Sequence, residues 1–185
     1  MTSGRIFMKH TNKIKQLANA SVFAALCCVA TMIVQIPSPT QGYLHLGDAV
    51  VLLSGWLLGP LWGALAAGIG SALADIFAGY ILYAPATLLI KMAVAALGWV
   101  LFGSFSRIMP SHPLLSLALS GAVAEIVMIA GYFIFEALFV GYGGAAIVGV
   151  PLNAAQAFFG VAVGAVLMRL LKRVHFRIHR EYNMK

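Results

Sequence analysis

Residues 47–79 decide the fold, and they read GDAVVLLSGWLLGPLWGALAAGIGSALADIFAG. Acidic side chains occur near the two ends of this stretch, at Asp48 and Asp75, and Gly59-Pro60 interrupts its apolar middle. Proline is tolerated in the first turn of a helix but breaks a helix interior. The stretch therefore predicts two apolar helices, a short one over 47–58 and a longer one over 60–79.

The rest of the chain has the same apolar character. Of its 185 residues, 62% are hydrophobic and 9% are charged, and the mean hydropathy is +0.95. An ordinary soluble domain is about 45–50% apolar and about 25% charged. A compact soluble fold of this length could not bury so much apolar surface, so a soluble enzyme, a disordered chain and a nucleic-acid-binding module are excluded. The composition predicts an all-α integral membrane protein.

Turn signals divide the chain into six predicted spans within a single membrane domain. A helix needs about 20 apolar residues to cross the hydrocarbon layer, and the segment 47–58 is the shortest candidate. The predicted spans are 15–36, 47–58, 60–79, 84–105, 114–140 and 152–171, and a basic tail over 172–185 follows them.

The basic residues predict the orientation of this six-helix bundle. Lys and Arg precede the first span, follow the fourth and end the sixth, while the loops after the first, third and fifth spans contain neither. Cytoplasmic loops collect Lys and Arg, so both termini are expected in the cytoplasm, which requires an even number of spans. A cleaved signal peptide at the N-terminus would break that count. The net charge of +7 therefore mainly reflects basic residues on the predicted cytoplasmic side of the membrane. Lys91, inside the fourth span, is the exception.

Polar and aromatic side chains cluster at one depth, in the predicted outer half. Polar groups inside a bilayer are costly and mark functional sites. A small, polar, flat ligand would suit this set of acids, one base, amides and aromatic side chains. A metal site is not favoured, because no His pairs share a helix face. The predicted ligand-binding residues are Tyr43, His45, Asp48, Asp75, Tyr80, Tyr83, Lys91, Tyr132, Glu136, Asn153 and Gln156.

Several of these residues have a purely structural alternative. Lys91 could snorkel to the interface or pair with Asp75, and Asp48 or Asn153 could cap a helix. The tyrosines could belong to an interfacial aromatic belt. On the first span, the small residues Ala20 and Ala24 could pack within the bundle or against another membrane subunit, and their spacing does not distinguish the two.

The residue pattern around the two central spans also resembles a known family. Gly42-Tyr-Leu-His-Leu-Gly-Asp-Ala-Val-Val51, Ala66-Ala-Gly-Ile-Gly-Ser-Ala-Leu-Ala-Asp75 and Tyr83-Ala-Pro-Ala-Thr87, the last followed by Ile90-Lys91, carry the resemblance. They are similar to the substrate-binding membrane subunits (S components) of energy-coupling factor (ECF) vitamin transporters. The group that includes pyridoxine and hydroxymethylpyrimidine uptake subunits is the most similar.

The resemblance implies a six-helix bundle in a prokaryotic cell membrane, with a vitamin bound in its outer half and the loop 37–46 as a lid. It implies that Ala20 and Ala24 contact an energy-coupling membrane subunit, which works with two cytoplasmic ATPase subunits. The chain itself has no Gly-xxxx-Gly-Lys-Ser/Thr phosphate loop, so we expect ATP to be used by the partners, no cofactor in this chain and no enzymatic activity.

The expected substrate is a vitamin B6 vitamer or hydroxymethylpyrimidine, held by Asp48 or Asp75, with Lys91 available for a phenolate and tyrosines for stacking. Riboflavin and pantothenate remain alternatives within the family, and a small polytopic membrane enzyme or an assembly subunit is the alternative outside it. We expect Lys91→Ala and Asp75→Ala each to weaken ligand binding while leaving the fold intact.

Overall fold

A computed structural model describes residues 3–37 and 43–182, with side chains for 13–37, 43–171 and 173. Helical segments dominate this part of the chain, and each of five helices is long and apolar enough to cross a membrane. The all-helical class predicted from the sequence is therefore confirmed. The elements are α1 (Ser3–Ile33), β1 (Ile36–Pro37), β2 (Tyr43–Leu44), α2 (Gly47–Phe77), α3 (Ala84–Ile108), α4 (Pro113–Leu138), a 3-10 helix (Gly143–Gly149) and α5 (Val150–Tyr182).

The helix count differs from the predicted six spans because the second and third of them form the single element α2. Gly59 has φ 87° and ψ −179° inside this 31-residue helix, and Pro60 follows it. The chain bends back there, since a Cβ added to Gly63 would lie 2.3 Å from the Ser54 carbonyl oxygen. The Ser54 hydroxyl proton is shared between the carbonyls of Val51 at 2.7 Å and Gly63 at 2.9 Å. Nine residues of straight helix would separate these groups by about 13 Å. The predicted break at Gly59-Pro60 is thus present, as a bend between two helical halves rather than as a loop.

The bend brings both ends of α2 to the same end of the bundle. In a straight helix Asp48 and Asp75 would lie about 40 Å apart. Here Tyr43, just before α2, is hydrogen bonded to Asp75 at the far end of that helix. The bend therefore places the two acidic ends of the apolar stretch in one region.

Gly59 is expected to be required for this bend. Its backbone conformation is essentially restricted to glycine, so Gly59→Ala should destabilise the protein by about 1–3 kcal/mol. A fall in the melting temperature of the detergent-purified protein measures this. Gly103→Ala is the matched control, because Gly103 lies within α3 and an added Cβ meets nothing within 4 Å. Equal melting temperatures for the two variants would show that the bend does not depend on the glycine conformation.

α2 forms the centre of the bundle and packs against α1, α3 and α5. Its buried side chains Leu52 and Trp56 join Val94 of α3 and Met128 of α4 in the apolar core. Apolar side chains also cover the outside of the bundle, among them Leu17, Leu89 and Leu138. Side chains of this kind are suited to contact with lipid.

The small residues of α1 face inward. Ala20 is 6% exposed, and a Cβ added to Gly70 of α2 would lie 2.2 Å from the Ala24 carbonyl oxygen. The close approach that these small residues permit is therefore made with α2 of the same chain. Contact of Ala20 and Ala24 with a coupling subunit stays a prediction.

Two predicted segments extend beyond the described residues. The predicted lid 37–46 contains the antiparallel pair of β1 and β2, with Ile36 opposite Leu44 and Pro37 opposite Tyr43, and its residues 38–42 lie outside the description. The predicted tail 172–185 continues α5 as far as Tyr182. Its last residues, 183–185, lie outside the described part.

Candidate functional site

A pocket opens at the end of the bundle where the β1–β2 segment meets the α2–α3 loop, the end of α4 and the start of α5. The bend in α2 creates this meeting point, because it returns the chain to the level of Tyr43 and His45. The pocket is lined by Tyr43, Leu44, His45, Asp75, Tyr80, Tyr83, Thr87, Tyr132, Glu136, Leu152, Asn153 and Gln156.

Tyr43 on β2 covers one side of the pocket. Its hydroxyl donates a hydrogen bond to Asp75 Oδ1 at 2.7 Å, and its ring centroid lies 4.7 Å from that of Tyr80. Burial and the neighbouring Asp75 carboxylate raise the pKa of Tyr43, so the phenol stays protonated and acts as a donor. One tyrosine thereby links the segment before α2 to the end of α2.

Asp75 is the acidic group best placed to meet a ligand. It is 5% exposed, and its Oδ2 atom is buried and forms no hydrogen bond among the described residues, with the Thr87 hydroxyl as a neighbouring group. Leaving a buried acceptor unpaired costs about 1–3 kcal/mol. A donor group on a bound ring would satisfy this oxygen while Tyr43 satisfies the other.

Gln156 on α5 joins the pocket to the charged residues beneath it. Its Oε1 accepts a hydrogen bond from the His45 backbone N–H at 3.0 Å, and its Nε2 donates to Asp48 Oδ2 at 2.7 Å. The His45 ring is fixed from the other side, because its Nδ1 accepts the Gly47 N–H at 3.0 Å. The side chain of Gln156 thus ties the segment before α2, α2 itself and α5 together at the floor of the pocket.

Lys91 and Asp48 lie below this floor and form an ion pair between α3 and α2. Both residues are 0% exposed. Lys91 Nζ also lies 5.4 Å from the centroid of the Tyr132 ring, within the range of a cation–π contact. Tyr132 in turn shares a 2.9 Å hydrogen bond with Thr87.

The structure brings the predicted ligand-binding residues together at this pocket, except for Asp48 and Lys91. Lys91 pairs with Asp48, not with Asp75, and it does not snorkel to the interface. Asp48 makes no recorded capping bond to α2, and its two carboxylate oxygens are instead paired with Lys91 and Gln156. The charged pair supports the pocket from below and does not line it.

Sequence reasoning missed Leu44, Thr87 and Leu152 as pocket residues. Thr87 had a usable signal, since it is a polar residue in the first turn of α3, one turn after Tyr83. Leu44 and Leu152 gave no such signal, because a leucine in a membrane helix or its flanking loop is unremarkable in sequence. Among the described residues, no group of three or more His, Cys, Asp or Glu side chains is placed to hold a metal ion.

His45 is expected to make the stability of this site sensitive to acid. Burial, together with the nearby Lys91, lowers the pKa of His45 from its ordinary value of 6.5 to about 4. The unfolded chain therefore takes up a proton before the folded protein does, and the contribution of the neutral ring to stability is lost as the pH falls from 6.5 to 4.

Melting temperatures between pH 7.5 and pH 4.5 test this expectation. His45→Gln should lose less stability over this range than the wild-type protein does. His112→Gln is the control, because His112 is exposed at the start of α4. If all three proteins show the same pH profile, a buried neutral His45 is not the cause of acid sensitivity.

Comparison with known proteins identifies a family for this chain. The model of the family described as "ECF-type riboflavin transporter, S component" matches residues 11–173. A protein of Pyrococcus woesei named "Uncharacterized protein in gap 3'region" is 40% identical over 149 residues, which cover 78% of this chain and 93% of that protein. The chain therefore belongs to the S component family of ECF transporters, whose members are substrate-binding transport subunits and not catalytic enzymes.

Proposed function

We propose that this chain binds a small heteroaromatic vitamin or precursor, a vitamin B6 vitamer or hydroxymethylpyrimidine, and delivers it inward with an energy-coupling module. The observation that carries the proposal is the buried Asp75 Oδ2, which forms no hydrogen bond among the described residues and belongs to a pocket lined by tyrosines. A single ring with a protonated nitrogen or a hydroxymethyl group supplies the missing donor. The same ring offers its flat faces to Tyr43, Tyr80 or Tyr83.

The size of the pocket favours one ring. The cavity that its lining side chains leave open is small, about 30 Å³. A ligand therefore requires the lining side chains to move apart. A single ring requires less of this displacement than a fused ring system.

The charges of the lining favour a neutral or cationic ligand. Asp75 and Glu136 contribute carboxyl groups, and no lysine or arginine is among the described lining residues. Lys91, which lies beneath the pocket, is already paired with Asp48. Pantothenate, which carries its own carboxylate, is therefore a poor fit, and a Lys91–phenolate contact is not part of the proposal.

Riboflavin is the second candidate, favoured by the description of the matching family. Its fused ring system also has flat faces for tyrosines and hydrogen-bonding groups for Asp75 and Asn153. It would require a larger opening of the pocket than a single ring does.

The proposal includes the partners and the topology expected from the family. An energy-coupling membrane subunit and two cytoplasmic ATPase subunits would drive delivery, in the cell membrane of a prokaryote. We propose that the two halves of α2 act as separate segments in a six-segment arrangement with both termini in the cytoplasm. The contact between Ser54 and Gly63 supports the reversal of direction that this arrangement requires.

A binding panel tests the ligand. The full chain, purified in detergent, is extracted for mass spectrometry of any bound small molecule and then titrated with pyridoxine, pyridoxal, hydroxymethylpyrimidine, riboflavin and pantothenate. Tight stoichiometric binding of a B6 vitamer or hydroxymethylpyrimidine supports the proposal. Tight binding of riboflavin alone replaces it with the second candidate, and binding of pantothenate alone contradicts the argument from charge.

A further inference from the structure

A second cavity lies at the other end of the bundle, between the start of α4 and residues 169–173 of α5. It encloses about 700 Å³ and is lined by Ser111, His112, Leu114, Leu115, Arg169 and Arg173, together with Pro113 and Leu117. The pocket proposed to bind the vitamin, called the vitamin pocket below, is lined by Glu136 of α4 and Gln156 of α5. The second cavity is a groove at the opposite end of α4, a 26-residue helix about 39 Å long. The two cavities are therefore separate.

One side of this groove is positively charged. Arg169 and Arg173 are exposed and lie one turn apart, on the same face of α5. The facing wall is the N-terminus of α4, and the positive end of a helix dipole favours an anion. Pro113 has no N–H and the Ser116 N–H is bonded to the His112 carbonyl, so Leu114 and Leu115 supply the backbone donors there. Among the described residues that line the groove, none is acidic. This side of the groove fits a phosphate group.

The remaining lining is apolar. Leu114 and Leu115 are 42% and 47% exposed, and both contribute to the groove. A free phosphate or a sugar phosphate would leave these leucine side chains uncovered, whereas a hydrocarbon chain would cover them.

The position of the groove matches the level of lipid headgroups. The candidate membrane segments Pro113–Leu138 and Gly143–Leu171 begin and end beside it. Arginines at the end of a membrane segment lie where the phosphates of the bilayer lie, and anionic lipids attract basic side chains there. A zwitterionic lipid would bring its own cation close to the two arginines and fit less well.

We propose that this groove binds one anionic phospholipid, with its phosphate at Arg169 and Arg173 and an acyl chain along Leu114 and Leu115. The site is independent of the vitamin pocket. A lipid held there joins the outer surfaces of α4 and α5 at the end of the bundle that has no vitamin site.

Native mass spectrometry of the full chain tests the proposal. The detergent-purified protein is mixed with equal amounts of phosphatidylglycerol and phosphatidylcholine, which share acyl chains and differ in headgroup charge. We expect one phosphatidylglycerol to be retained in preference to phosphatidylcholine, by about tenfold or more. Arg169→Gln/Arg173→Gln should abolish most of this preference, and added sodium chloride should weaken it in the wild-type protein.

Arg107→Gln is the matched control, because Arg107 is an exposed arginine in the last turn of α3 and does not line the groove. It should retain the preference. Equal retention of the two lipids by the wild-type protein would overturn the proposal, as would an unchanged preference in the double variant. Complete displacement of phosphatidylglycerol by glycerol phosphate would also overturn it, because the site would then recognise a phosphate without its acyl chain.

Discussion

Replacing Lys91 with methionine is expected to destabilise the protein by about 3–5 kcal/mol, because the change leaves the Asp48 carboxylate buried without its cation. Methionine keeps the length of the side chain, so the lost stability comes from the charge and not from an empty space. The measurement is the melting temperature of the detergent-purified protein without ligand, followed by tryptophan fluorescence.

The double variant Asp48→Asn/Lys91→Met separates the cost of an unpaired buried charge on Asp48 from the cost of losing the ion pair itself. It removes both charges, and buried ion pairs can often be replaced by neutral groups at little cost. We expect it to recover most of the stability lost in Lys91→Met. Lys13→Met is the surface control, because Lys13 is an exposed lysine on α1. A wild-type melting temperature for Lys91→Met would show that the ion pair does not hold α2 to α3.

This expectation reverses one made from the sequence. In the sequence, Lys91 is the one basic residue that the predicted membrane topology does not explain. Because its predicted depth matches that of the other polar residues, it was predicted to line the ligand pocket. The structure places it beneath the pocket, paired with Asp48 across two helices. Depth follows from counting residues along a span, but the direction in which a side chain points depends on how neighbouring helices are rotated. A single sequence does not contain that rotation.

Most of the predicted residues that line the pocket could be found from their depth in the membrane alone. Tyr43, Tyr80 and Tyr83 lie in or beside loops at one end of the bundle, where any inward-facing side chain reaches the same pocket. Glu136 and Asn153 lie close to helix ends at this same level. Near a helix end fewer directions lead away from the cavity, so the depth of a residue is there a better guide to contact. Asp48 is the exception, because it is the second residue of α2 and yet pairs with Lys91 instead of lining the pocket.

The bend in α2 shows the same limit for the backbone. The sequence Gly59-Pro60 predicts a break in the helix, since glycine permits a positive φ and proline is favoured at the start of a new helix. Whether the chain turns sideways or folds back is seen only in the tertiary structure, where Ser54 contacts Gly63. That contact joins two positions that apolar periodicity treats as unrelated.

Replacing Asp75 with asparagine is expected to reduce vitamin affinity by about ten- to a hundredfold. A hydrogen bond to a charged group contributes about 1.5–3 kcal/mol, and Asp75 presents a buried oxygen without a donor to the pocket. Asparagine keeps the shape and can still accept a hydrogen bond from Tyr43. The variant should therefore melt close to the wild-type temperature without ligand, while titration calorimetry shows the weaker binding.

Glu125→Gln provides the matched control for Asp75→Asn. Glu125 is also a buried carboxyl on a membrane helix, 1% exposed, but it lies outside the vitamin pocket. The same loss of a carboxyl group there should leave vitamin affinity unchanged. If both variants lose affinity equally, the effect is a general one of charge within the bundle. If Asp75→Asn binds as tightly as the wild-type protein, Asp75 does not bind the ligand, and the proposed function loses the observation that carries it.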